Sequence, residues 1–260
     1  MASDVKECYD WGVLGCGWLG KAFARQLAES GQSVWGSTRS QERFPAIAVT
    51  GADPVEFDLD HAGHPPTWPP PCHQLLVAVN PSVDTEALGN VLRSAMGERT
   101  RWCVVISSTS VYPDEPRNFE ETDAMDRTSP HSGVSVLKFE QALASSRTSF
   151  LRAGGLIGPG RPLFRPTQRP IHENRPLVVT HVDDIIAAVL HVARHEMSGP
   201  TNLVCPIRRT RAQCTSRSDG TEAASPSRSI SSQRILDSGF TFRHPDPCSM
   251  SNLHLSLIHI

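Results

Sequence analysis

The stretch Gly15-Cys16-Gly17-Trp18-Leu19-Gly20 limits what this chain can fold into more than any other. Residues 11–14 before it form a short apolar run that reads as a buried strand. After it, Ala22, Phe23, Leu27 and Ala28 recur at helical spacing, and Ser30-Gly31 is a helix stop. A second strand is expected over 33–36. The three glycines thus lie between a strand and a helix inside a βαβ unit, the context in which GxGxxG holds a dinucleotide. Gly15 allows the tight turn, Gly17 lets backbone reach a pyrophosphate, and Gly20 lets the helix pack on the strand. The N–H groups at the helix start are then available to phosphates. A Gly-rich turn alone would explain the bare pattern; the flanking strand, helix and second strand favour the nucleotide.

The end of the second strand bears on which nucleotide. An NAD-preferring site usually carries Asp or Glu there, bonded to the ribose 2′-OH. This chain carries Ser37-Thr38-Arg39, and no carboxylate follows until Glu42. A guanidinium at Arg39, helped by the hydroxyls of Ser37 and Thr38, suits a forked contact with a 2′-phosphate. NADP is therefore expected over NAD, against the simpler reading of Arg39 as a solvated loop residue.

The 260 residues, 38% hydrophobic with net charge −2, suffice for one sizeable α/β core. The charge balance points to neither nucleic acid nor a membrane surface. No apolar run approaches the roughly 20 residues of a membrane span, and residues 1–10 lack a signal-peptide core. Seven cysteines are scattered without a CxxC, so neither a disulfide framework nor a metal site is expected. A reducing cytoplasm fits such usage.

Along the chain, strands are expected over 55–57, 75–79, 101–106, 150–152 and 202–204, with 176–179 short and apolar. Helices are expected over 85–96, 135–144 and 183–193, the last capped by Asp183 or Asp184. Strands alternating with helices in this number imply a doubly wound parallel sheet of the Rossmann type, over 9–205. Residues 208–232 are rich in Ser, Arg and Thr and read as linker or disorder, within a small irregular C-terminal lobe over 206–250. Residues 251–260, and with them 213–227, read as a frame-shifted or read-through product rather than native coding sequence.

Beyond the Gly-rich turn, landmarks recur in a fixed order. They are Asp58-Leu59, Ala78-Val79-Asn80-Pro81, Ser107-Ser108-Thr109-Ser110-Val111-Tyr112, Leu151-Arg152-Ala153-Gly154-Gly155 with Gly158-Pro159-Gly160-Arg161, and His181-Val182-Asp183-Asp184. In this the chain resembles the extended short-chain dehydrogenase/reductase superfamily, the NAD-dependent epimerases and dehydratases. Most members use GxxGxxG, whereas GxGxxG here looks like a small bacterial branch of atypical members. The resemblance implies a cofactor set of Gly15, Cys16, Gly17, Trp18, Leu19, Gly20, Ser37, Thr38, Arg39, Asp58, Leu59, Ala78, Val79 and Asn80. In it Asp58 and Leu59 border the adenine, and Ala78 and Asn80 line the ribose side. It places Ser108 where the family has its substrate-polarising Ser or Thr, and residues 155–157 beside the nicotinamide.

The family reaction needs a Tyr and a Lys at YxxxK, the Tyr moving a proton while the nicotinamide moves hydride. Tyr9 and Tyr112 are the two tyrosines, and Val13 and Pro116 stand four residues after them. Aligned through Gly133, Ser135, Glu140 and Gln141, the Tyr position becomes Ser132 and the Lys position Val136. Lys138 falls on another helix face. Three readings follow. The first is an oxidoreductase or epimerase acting on a small or sugar-nucleotide-like substrate through another acid, Tyr112 with Ser108, or His131. The second is an NADP(H) sensor or regulatory protein without turnover, as relatives lacking the Tyr are known to be. The third is a scaffold alone, which the intact Gly turn disfavours. Arg161, Arg165, Arg169 and Arg175 lie where a substrate lobe is expected. They suit an anionic ligand, or simply keep a Pro-rich loop soluble.

Overall fold

The computed structural model describes residues 8–58, 69–80, 89, 100–124, 133–164, 174–215 and 228–254. In chain order the first elements are β1 (Tyr9–Leu14), α1 (Trp18–Glu29), β2 (Val34–Thr38), α2 (Phe44–Ala48), β3 (Asp53–Glu56), β4 (Cys72–Val77) and β5 (Trp102–Ser108). Next come β6 (Asn118–Phe119), α3 (Gly133–Leu143), β7 (Thr148–Ala153), β8 (Gly155–Ile157), β9 (Val179–His181), α4 (Val182–Arg194) and β10 (Gly199–Leu203). The chain continues with α5 (Arg211–Cys214), β11 (Ser229–Ile230) and α6 (Gln233–Asp237). Seven strands form one sheet in the order β10-β7-β5-β4-β1-β2-β3. This is the expected α/β Rossmann-type fold, a parallel sheet flanked by helices.

The chain divides into two compact units that interleave along the sequence, where one cut near residue 205 was expected. The first comprises Met1–Ser107, Ser135–Leu151 and Val189–Pro200; the second comprises Ser108–Val134, Arg152–Ala188 and Thr201–Ile260.

In the first unit β1 pairs in parallel with β2 on one side and β4 on the other, with Val13 opposite Gly36 and Leu76. A central parallel strand is covered on both faces, which is why β1 reads as a run of apolar residues and not as an alternation. Tyr9, Leu14, Trp35, Leu75, Val77, Val105 and Phe139 share one buried cluster. On α1 the expected Phe23 and Leu27 are buried, together with Leu19 and Ala24 at 3–4 spacing, whereas Ala22 and Ala28 are half-buried. The helix stops at Ser30, and Gly31 follows with φ +80°, a conformation glycine adopts without cost. The short α2 was not expected; Pro45 in its first turn has its φ preset for a helix start. The helix expected over 85–96 lies almost wholly outside the described residues.

In the second unit β8 pairs with β9 and β6 with β11, all in parallel. Ile157, Val179, Cys205 and Met250 form its own apolar cluster. Residues 208–215 and 228–232 are structured, against the expected linker. Thr210 and Gln213 close a reciprocal capping box on α5, and Cys214 is disulfide-bonded to Cys248, their Cα atoms 4.5 Å apart. That bond corrects the expectation of no disulfide. The two cysteines stand 34 positions apart, and no spacing motif announces the bond. Residues 251–254 continue a 3₁₀ helix, Pro247–His254. Nor does Asp184 cap α4. Its buried carboxylate accepts from the backbone N–H groups of Arg243 (2.6 Å) and His244 (3.2 Å), while the His181 ring accepts from the Asp183 N–H at 3.2 Å.

Candidate functional site

The Gly-rich turn leaves the carboxyl end of β1, where a parallel sheet presents ligand sites. Gly15 has φ +82°, and a Cβ there would sit 2.7 Å from the Ala78 carbonyl oxygen. Two constraints therefore select glycine: the backbone region and the close approach of the next strand's end. The Gly15 N–H donates to Ser37 Oγ at 2.9 Å, and the Cys16 N–H to the Ser37 carbonyl at 2.8 Å. Ser37 is 4% exposed, so its side chain holds the turn. At Gly20 a Cβ would meet the Gly15 carbonyl oxygen at 2.8 Å, which is the close helix–strand packing expected of the third glycine. At Gly17 a Cβ would meet no protein atom within 4 Å. No side chain caps α1, and no acidic residue stands in its first turn.

A cleft of about 410 Å³ opens at this turn. Its walls include Gly15, Cys16, Gly17, Ser37, Thr38, Arg39, Asp58, Ala78, Val79 and Asn80. Trp18, Leu19 and Gly20 do not line it, and Leu59 lies outside the described residues. Leu19 and Gly20 face the core instead. Three lining residues were missed: Leu14, Arg43 and Phe57. Arg43 stands four residues after Arg39, and both are exposed. That spacing, just before a proline-started helix, was the available signal. Burial pushes the Cys16 thiol up to about 11, so it is no nucleophile at neutral pH.

These features fit a dinucleotide. The volume falls within the roughly 300–1,000 Å³ of small-molecule sites. The bare face of Gly17 is where a phosphate would approach the uncapped helix start. Two guanidinium groups and the Asp58 carboxylate supply charge of both signs on the walls.

The second unit carries the residues expected to act on a substrate. Ser108 ends β5, and its Oγ accepts from the Ser110 N–H at 3.1 Å. Tyr112 is 1% exposed. Its hydroxyl donates to Asn202 Oδ1 at 2.7 Å and accepts from Arg152 Nη1 at 2.8 Å. Phe119 stacks on its ring, with centroids 5.4 Å apart. Burial pushes the phenol up to about 12, against the lowering effect of Arg152. The sequence places Tyr112 as a loop acid; the structure encloses it, with both hydroxyl functions engaged. Tyr112→Phe is expected to cost about 1–2 kcal/mol in chemical denaturation, because Asn202 Oδ1 loses its buried donor. A loss near zero would contradict that network.

Of the positions where the relay pair would stand, Ser132 lies outside the described residues. Val136 is 2% exposed on α3, and Lys138 points to solvent. A lysine at 136 would bury an ammonium group unless a ligand paired it. On the same helix Glu140, 5% exposed, accepts from Ser107 Oγ at 2.5 Å. This buried pair was not foreseen. Of the four expected anion-binding arginines, 165 and 169 lie outside the described residues, and Arg175 is paired with Asp114 at 3.0 Å.

The sheet order and the glycine turn define a class: the chain has the fold of the extended short-chain dehydrogenase/reductases, the NAD-dependent epimerases and dehydratases among them. No protein-family model matches the chain. Protein YeeZ of Escherichia coli strain K12 is 25% identical over 268 residues, covering 92% of this chain and 97% of its own. A solved NAD-dependent epimerase/dehydratase from Methylobacillus flagellatus superposes with a TM-score of 0.74 at 23% identity, over 93% of this chain and 96% of that one. Human epimerase family protein SDR39U1, solved with NADPH, gives 0.65 at 15% identity, over 93% and 97%.

Proposed function

We propose that this chain binds NADP(H) in the cleft at residues 15–20 and works without the family's Tyr–Lys relay. The observation that carries the reading is the uncapped α1 start beside a Gly17 face that no protein atom fills, with Arg39 and Arg43 on the cleft wall. Neighbours of this fold are solved with NAD or with NADPH, so they support a nicotinamide dinucleotide, and the preference for NADP(H) rests on the two arginines. Bound there, the nicotinamide would supply hydride chemistry. The chain's own part is to hold the pyrophosphate on the turn and the 2′-phosphate on the arginines.

Calorimetric titration tests this. Wild type is expected to bind NADP(H) more tightly than NAD(H). Arg39→Ala is expected to weaken NADP(H) about tenfold or more, a charge-assisted contact being worth about 1.5–3 kcal/mol. Equal wild-type affinity for both cofactors would refute the preference, and binding of neither would refute the reading of the turn.

For turnover, the enclosure of Tyr112 favours a sensor or regulatory role over an oxidoreductase or epimerase. The missing acid–base help is worth roughly 10²–10⁴-fold in rate. Brisk NADPH consumption across a panel of carbonyl and sugar-nucleotide substrates would overturn the sensor reading. We place the protein in the cytoplasm, on its five free cysteines among the described residues, with Cys214–Cys248 as the feature that argues otherwise. Among the described residues no helix is long and apolar enough to cross a membrane.

A further inference from the structure

We propose that His181, Asp183 and His244 form a binding site for a divalent transition-metal ion of the zinc type. One potential ligand atom from each lies within 4.8 Å of the other two. They come from three places in the second unit: the end of β9, the first turn of α4 and the segment after Phe242. Asp183 Oδ2 is 3.1 Å from His244 Nε2 and 3.4 Å from His181 Nδ1. Zinc–nitrogen and zinc–oxygen bonds near 2.0–2.2 Å place neighbouring tetrahedral donors about 3.3–3.5 Å apart. The two edges that share Asp183 are therefore already close to the spacing an ion needs, and the edge between the two imidazoles lies within 4.8 Å.

Hydrogen bonding alone leaves one contact unexplained. The Asp183 N–H donates to His181 Nδ1 at 3.2 Å, so that nitrogen presents a lone pair. The same nitrogen lies 3.4 Å from the carboxylate oxygen Oδ2, and in the tautomer that accepts from the Asp183 N–H it has no hydrogen to donate there. A cation satisfies both groups at once. The 3.2 Å bond is long, and its donor lies in a first helical turn, where N–H groups readily turn to water.

The surroundings suit a bound ion. The His181 side chain is 5% exposed, whereas those of Asp183 and His244 are 44% and 24% exposed, so an ion can enter from solvent. Asp184, beside the cluster, fixes the backbone of His244 and adds a second carboxylate to the local field. Cys205 Sγ–H donates to the His244 carbonyl at 3.3 Å and helps to hold that segment. Two imidazoles and one carboxylate, with a fourth position left to water, are a donor set that zinc takes readily. The ion would clamp the segment carrying His244 to the β9–α4 junction. No metal was expected from the sequence, because His244 stands 61 positions after Asp183 and no ligand motif spans them.

The test is titration of the full-length, chelator-stripped protein with zinc chloride by calorimetry, and with Co²⁺ by visible absorption. One equivalent of zinc is expected, with Co²⁺ bands of a low-symmetry four- or five-coordinate site. Asp183→Asn and His244→Gln are each expected to weaken uptake at least about tenfold, since even loss of an outer partner costs about 10–100-fold. Both side chains are partly exposed, so these variants are expected to fold, which their far-UV circular dichroism and thermal melts check. His191 and His195 on and after α4, with ring centroids 4.4 Å apart, are the internal control. His191→Gln with His195→Gln is expected to leave uptake unchanged. Failure to saturate at one equivalent would overturn the site. So would uptake unchanged in both ligand variants, or uptake lost with the control pair.

Discussion

Gly17→Thr is expected to lower NADP(H) affinity by at least about a hundredfold while leaving thermal stability nearly unchanged. The separation follows from what surrounds the position. A Cβ at Gly17 meets no protein atom within 4 Å, so the fold loses nothing to crowding. Gly17 is the N-cap of α1, and threonine ranks close to glycine there. The added atoms enter the space that a pyrophosphate must occupy, and the new hydroxyl competes for the same helix N–H groups. Losing two charge-assisted bonds of about 1.5–3 kcal/mol each exceeds the 2.7 kcal/mol or so that a hundredfold represents. Gly15 could not make this separation, since its φ of +82° and its contact with Ala78 tie it to the fold as well. Calorimetry beside a thermal melt is the measurement. Undiminished affinity in a folded variant would remove the turn from the binding site.

Arg152→Met is expected to destabilise the protein by about 3–5 kcal/mol, read as a shift in the denaturant midpoint. Arg152 is 3% exposed on β7. Its Nη1 donates to the Tyr112 hydroxyl and to the Glu121 carbonyl, both at 2.8 Å. Asn202 joins the same group, its N–H donating to Glu121 Oε1 at 2.8 Å. Methionine matches the reach of the side chain but donates nothing. The buried Tyr112 hydroxyl and the half-buried Glu121 carbonyl each lose a bond to a charged donor, worth about 1.5–3 kcal/mol. Replacing every polar partner together could be nearly neutral; removing one is not. A loss below about 1 kcal/mol would show that water or another donor serves those oxygens.

What the sequence showed and what it hid divide by range. The βαβ unit, the three glycines and the polar end of β2 were legible because their constraints are local: a period, a turn, a strand's last residue. Arg43 and Phe57 reach the cleft only through the fold of residues 41–57, of which α2 was not read at all. Tyr112 was placed by its nearness to Ser108, yet the residue that holds its hydroxyl lies 90 positions away. His181 with His244, and Cys214 with Cys248, are likewise long-range pairs without a spacing motif. Periodicity reports which face of an element is buried; it does not report the partner across a tertiary contact.

The interleaving of the two units has a consequence for how the protein is made. The first unit takes its last piece from Val189–Pro200, and the second is complete only with Thr201–Ile260. No continuous fragment contains one unit whole without pieces of the other, so neither can be excised by a single pair of cuts. On the ribosome the cleft-forming residues 14–80 emerge early. The partners that bury Arg152 and Tyr112 follow later, Asn202 among the last. Until then a charged guanidinium and a phenol await their enclosure, and the second unit is the last for which a nascent chain has every piece.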